Sequence, residues 1–199
     1  LMHNDNAQYA KARGILEEIA PYADRDLMQY VEPKIPLSWY LEGASHYMSQ
    51  KHDEALECYR HALEGYREQG NKKDELSVLK RMAAAKMARY DVAGAEEMYH
   101  QALSLTKETS DAGAQIDILK ELWDIRNRIG DVQLAQKYAA SMESLLETVS
   151  DAQTLFSYYN QKGNEARDMG QYRIAEQWYL HGKKLAEGDG SNQSSANRH

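Results

Sequence analysis

The side chains best equipped for chemistry in this 199-residue chain are seven histidines, one cysteine and 31 carboxylates. No histidine has the H-E-x-x-H spacing that would place two imidazoles and a base on one helix face, and none stands beside a cysteine pair. His100 follows Glu96 by four residues, which on a helix makes a surface contact. Cys58 has no second cysteine to bridge, so it forms no internal disulfide and leaves the redox compartment open. A stabilised thiolate there could sense oxidants, but the apolar column it occupies reads as a packed core thiol. There is no glycine-rich phosphate loop, since the glycines of GDGSN belong to a polar tail. The expectation is a protein without enzymatic activity, metal or cofactor.

The elements that could position these residues are helical. Three prolines, one phenylalanine and few β-branched residues stand against abundant Ala, Leu, Glu, Gln, Lys and Met, the helix-forming end of the propensity scale. A net charge of −7 gives no basic footprint for a phosphate backbone, which argues against nucleic acid. No apolar run is long enough to span a bilayer, so this segment is not expected to insert in a membrane. The chain opens on Leu1 without a basic-then-apolar leader and is expected to be part of a longer protein, either cytoplasmic or the extracytoplasmic portion of an anchored one.

Self-similarity fixes the organisation. The segments KHDEALECYRHAL, DVAGAEEMYHQAL, GDVQLAQKYAASM and GQYRIAEQWYLHG align, with Ala55, Ala95, Ala135 and Ala175 each 40 residues apart. Three residues on stand Cys58, Met98, Tyr138 and Trp178, and one further Tyr59, Tyr99, Ala139 and Tyr179. Ala62, Ala102, Met142 and Gly182 complete a face with helical period. These segments read as the second helix, B, of a hairpin. Twelve residues before each alanine, Gly43, Ala83, Trp123 and Gly163 lie in the first helices, A, where small residues allow close approach. Turns at Gln50-Lys51, Tyr90-Asp91, Gly130-Asp131 and Gly170-Gln171 reverse the chain.

Trp39, Gly43, Ala55, Tyr59 and Ala62, together with Tyr159, Gly163, Ala175 and Tyr179, resemble the tetratricopeptide signature. The resemblance covers residues 36 to about 187. It implies an all-α fold, a right-handed α-α superhelix (TPR-like solenoid) of four helix hairpins at about 36–75, 76–115, 116–155 and 156–187. Residues 1–35, with Tyr9, Ala12 and Leu16, read as an N-terminal half repeat and connecting helix, and 188–199 as a disordered polar tail. Two departures matter. Arg67, Lys107, Glu147 and Glu187 stand where the 34-residue repeat closes with proline, so the helices should be longer; six extra residues amount to roughly 9 Å of helix. Trp123 replaces a small residue opposite Ala139, which predicts a tryptophan largely buried against Ala135 and Ala139.

In tetratricopeptide arrays the A helices line a concave groove. By alignment the groove positions are Tyr40, Ala44 and Tyr47, then Lys80, Ala84 and Met87, then Lys120, Asp124 and Asn127, then Asn160, Asn164 and Arg167. Asparagine offers a donor and an acceptor to a peptide backbone, while Lys and Arg take carboxylates, so a protein or extended peptide is the implied partner. The Lys and Asn arrangement of family members that clamp chaperone C-termini is absent. Repeats of 40 residues are similar to those of bacterial regulators, which implies the sensor or interaction module of a histidine kinase or transcriptional regulator. The alternatives are a passive assembly scaffold and an enzyme-regulating subunit. The last helix carries Tyr172, Ile174, Trp178, Tyr179, Leu180 and Leu185, more apolar residues than one hairpin can cover, so open surface and self-association through it are expected.

Overall fold

The computed structural model describes residues 2–149, 152–176, 178–180 and 182–183. Every regular element among the described residues is helical. In chain order these are α1 (Met2–Ile19), a 3-10 turn (Ala20–Tyr22), α2 (Arg25–Val31), α3 (Lys34–Met48), α4 (His52–Glu68), α5 (Lys72–Ala88), α6 (Val92–Glu108), α7 (Ala112–Ile129), α8 (Val132–Val149) and α9 (Ala152–Asp168). Helical residues follow at 172–176 and 178–180. No described helix is long and apolar enough to cross a membrane. The chain divides into two compact units, Leu1–Tyr138 and Ala139–His199.

In the first unit consecutive helices pack on one another from α3 to α7, and α1 packs on α3. The reversals share one device. Gln50, Gly70, Tyr90, Ser110 and Gly130 all have left-handed φ, between 54° and 81°, at 20-residue intervals. A residue in that region lets the next N–H turn back to a carbonyl of the last helical turn, as Asp91 N does to Lys86 O at 2.9 Å. Asn71, Asp91 and Asp111 then cap the following helix, each side chain accepting from the N–H three residues on. Sequence analysis located the A-to-B turns. The same device at the B-to-A turns, Gly70 and Ser110, escaped it because only one of the two, Gly70-Asn71, carries a glycine or asparagine.

These helices run 17 or 18 residues from α4 to α7, the length that a 40-residue repeat without a closing proline predicts. Their core follows the aligned columns. Ala55, Ala95, Ala62 and Ala102 have no exposed surface, and Ala135 has 2%. Tyr59 is likewise fully buried, and Tyr99 nearly so. Gly43 faces the Tyr59 ring so closely that a methyl group there would collide with it. Trp123, expected to be largely buried, is of intermediate exposure, with most of its surface covered.

In the second unit the turn at Gly170, with φ 73°, joins α9 to the helical residues after it. Gly163 repeats the role of Gly43: a Cβ on it would strike the Tyr179 ring. Ala175 and Gly182 are buried, as the column requires. Tyr159 stacks on Trp178 at 6.0 Å, and Tyr158 meets the same indole edge-on at 6.2 Å. Ile174 and Leu180 remain 44% and 47% exposed, in keeping with the surplus of apolar residues read from the sequence. The polar tail, His181, Leu185 and Glu187 lie outside the described residues.

Candidate functional site

The A helices of the first unit expose a ladder of side chains. Tyr40, Ala44 and Tyr47 on α3, Lys80, Ala84 and Met87 on α5, and Lys120 and Asp124 on α7 are all partly exposed, and Asn127 is exposed. Spacings of four and three residues put each trio on one helical flank. The tyrosines are held from below. Tyr40 packs against the Tyr59 ring at 5.9 Å and Tyr47 against His52 at 5.4 Å, while Tyr40, Tyr47 and Met87 all rest on the buried core. Side chains fixed in this way lose little further rotamer entropy when a ligand covers them.

The ladder also has members that sequence reasoning left out. Arg81 donates to the Tyr40 hydroxyl at 3.4 Å, tying α5 to α3. Asp117 sits 3.7 Å from the Lys80 ammonium, tying α7 to α5. Glu121 accepts from the Tyr99 hydroxyl at 3.3 Å. Arg81 and Glu121 adjoin aligned groove residues and Asp117 lies three positions before one, so alignment columns alone do not select them. Asp117, Glu121 and Asp124 give α7 three carboxylates beside Lys120, and the α7 rung is mixed in charge. Burial holds the Tyr59 hydroxyl up at about 12 and raises that of Tyr99 further, with the Glu121 carboxylate adding to the effect. Both phenols stay neutral near pH 7; both serve as packing surfaces, and Tyr99 also donates to Glu121.

In the second unit, Asn160, Asn164 and Arg167 share one flank of α9. The Asn164 amide oxygen accepts from the Tyr179 hydroxyl at 2.8 Å, so this asparagine braces the hairpin as well as facing solvent. Arg167 pairs with its neighbour Asp168 at 3.0 Å. It also borders an open depression of about 400 Å³ whose walls include Tyr172, Tyr179 and Leu180.

The histidines singled out for chemistry are engaged in packing. His61 stacks on the Trp39 ring at 4.4 Å, and His100 lies 3.4 Å from the Tyr138 hydroxyl. Glu96, four residues before His100, is buried and joins Arg126 of α7 at 2.6 Å. Cys58 is 6% exposed, and burial pushes its thiol up to about 11, which makes it a poor nucleophile near neutrality.

Comparison with known proteins agrees with this geometry. Residues 36–64, covering most of α3 and of α4, match the family model described as tetratricopeptide repeat. The fold is similar to the crystal structure of BtubC (BKLC) from P. vanneervenii, with a TM-score of 0.59 and 14% identity over 96% of this chain and 92% of that one. It is similar to the same degree, TM-score 0.59 and 14% identity, to a kinesin light chain-like protein of Podosopora anserina with nearly identical TPR-like repeats, over 100% of this chain and 97% of that one. No curated protein is matched by its sequence. Repeats of this type generally mediate protein–protein interaction, and their fold is typically that of a scaffold without catalysis.

Proposed function

We propose that this chain, a tetratricopeptide-repeat protein, holds a partner through an extended peptide segment laid across the A helices of its first unit. The observation that supports this most is the ladder itself: core-anchored Tyr40, Tyr47 and Met87 beside the polar group Lys120, Asp124 and Asn127. Contacts from Tyr40 to Arg81 and from Lys80 to Asp117 link α3, α5 and α7 in a row along which an extended segment can lie. Tyrosine supplies rigid contact area with a polar tip, the pattern of interface residues that dominate affinity. The preferred ligand has apolar side chains toward the α3 end, with a backbone and charges met by Asn127, Lys120 and Asp124 toward α7. Asn160, Asn164 and Arg167 offer amide and guanidinium chemistry of the same kind within their own unit.

The test is selection from a random peptide library on the purified chain, followed by affinity measurement on variants. Tyr47→Ala and Lys120→Glu should each weaken the selected peptides about tenfold or more while helix content is unchanged. Peptides that bind both variants as tightly as the parent would place recognition elsewhere.

On this reading the array is the recognition part of a larger regulator. Repeat length supports that reading, with a scaffold or an enzyme-regulating subunit as the alternatives. Self-association is the second proposal, and the exposure of Tyr172, Ile174 and Leu180 favours it. Sedimentation velocity over a hundredfold concentration range tests it. A fixed monomer mass throughout would reject it.

A further inference from the structure

One cluster in the first unit is unexplained by peptide recognition. Glu42 and His46 lie four residues apart on α3, and Cys58 approaches them from α4; one ligand atom from each lies within 4.8 Å of the other two. The group is sheltered, with side-chain exposures of 12% for Glu42 and 16% for His46 and only 6% for Cys58 as a whole. From these residues we infer that the α3–α4 hairpin carries a binding site for a borderline-soft divalent cation such as zinc, coordinated by the Cys58 sulfur, the His46 imidazole and the Glu42 carboxylate.

Four features support the assignment. The donor set is right: thiolate, imidazole and carboxylate together suit zinc or cobalt over magnesium or calcium, which take oxygen alone. Its geometry is close to what a tetrahedral ion needs. Glu42 Oε1 lies 4.0 Å from His46 Nε2, and two ligands at about 2.0 to 2.1 Å from one ion stand about 3.3 Å apart, within reach of small side-chain rotations. The site is also braced. Gly43, between the two α3 ligands, lets α4 approach until the Tyr59 ring sits where a side chain would be, which brings Cys58 alongside. Arg13 of α1 holds the other Glu42 oxygen at 2.5 Å and is itself lodged over the Trp39 ring, the kind of outer-shell support that orients a ligating carboxylate and leaves Oε1 to coordinate.

The fourth feature comes from the repeat. The positions equivalent to Glu42, His46 and Cys58 are Met82, Lys86 and Met98 one repeat on, and Leu122, Arg126 and Tyr138 two repeats on. Those sets pack without offering three ligands, so the hairpin architecture alone does not call for Glu, His and Cys in that seam. Bound zinc would replace the Cys58 proton, which passes to solvent. The ion then carries three protein ligands, leaving one tetrahedral position for water or a donor from a partner.

The experiment adds cobalt(II), then zinc, to the reduced full chain after removal of metals with a chelator. The expected result is one equivalent of cobalt bound, with a sulfur-to-cobalt charge-transfer band in the near ultraviolet that zinc abolishes. C58S should lose the band, and H46Q and E42Q should weaken zinc binding by more than about tenfold. Circular dichroism confirms that each variant is folded; any that is not is replaced by C58A or H46N. The proposal is overturned if cobalt gives no charge-transfer band with the parent chain, if the band persists in C58S, or if folded His46 and Glu42 variants bind zinc as tightly as the parent.

Discussion

A Cβ placed on Gly43 would stand 2.8 Å from Cδ1 of Tyr59, and 3.2 Å from the Ala55 carbonyl oxygen. Tyr59 is fully buried and cannot swing away, so the missing side chain is what lets α3 and α4 meet. Gly43→Ala should therefore destabilise the chain by about 1 to 3 kcal/mol. Gly113→Ala is the control. There a Cβ meets nothing closer than 3.6 Å, and alanine's better helix propensity should leave stability unchanged or raise it by up to about 1 kcal/mol. Chemical denaturation of both variants separates the two cases.

Tyr90 holds left-handed φ of 62° at the end of α5 with its side chain 92% exposed. A β-carbon costs roughly 1 to 2 kcal/mol in that region, partly offset by the extra chain entropy that glycine loses on folding. Tyr90→Gly should raise stability by about 0.5 to 1 kcal/mol. A lower denaturation midpoint would mean that the ring contributes packing that its exposure does not suggest.

How far the sequence was legible follows from the range of the interactions involved. Ala55, Ala62, Ala95 and Ala102 were readable as core because helical spacing of three and four is a local rule, and each is fully buried. The A-to-B turns were readable for the same reason. Tyr40 with Arg81, Lys80 with Asp117 and Glu96 with Arg126 were not, since each joins residues 30 to 41 positions apart across helix faces whose rotation no single repeat specifies. The Glu42, His46 and Cys58 group was not read from the sequence, because its third member comes from the facing helix.

The Glu96–Arg126 pair, at 2.6 Å, joins α6 to α7 with both side chains largely covered. Arg126→Met should cost about 3 to 5 kcal/mol, because it strands a buried carboxylate. Adding Glu96→Gln should recover much of that loss. A double-mutant cycle with no coupling would show that solvent reaches the pair and screens it.

Burial raises the hydroxyls of Tyr59 and Tyr66 to about 12 from the usual 10. The folded state keeps these protons after the unfolded state has lost them, so their contribution is fully present below pH 10. It declines between pH 10 and 12, where the unfolded chain binds fewer protons. An alkaline titration that follows tyrosinate absorbance and helical circular dichroism together checks this. The buried phenols should ionise only as helical circular dichroism is lost. Complete ionisation before any loss of helix would contradict this.

Where a peptide lies on this chain is located directly by backbone amide chemical-shift mapping with a library-selected peptide. The ladder account predicts that the largest shifts fall on α3, α5 and α7, clustered around Tyr40, Tyr47, Met87, Lys120 and Asn127, with α4 and α6 little changed. Shifts concentrated on the exposed faces of α4 and α6, around Arg60, Glu64 and Glu97, would contradict it.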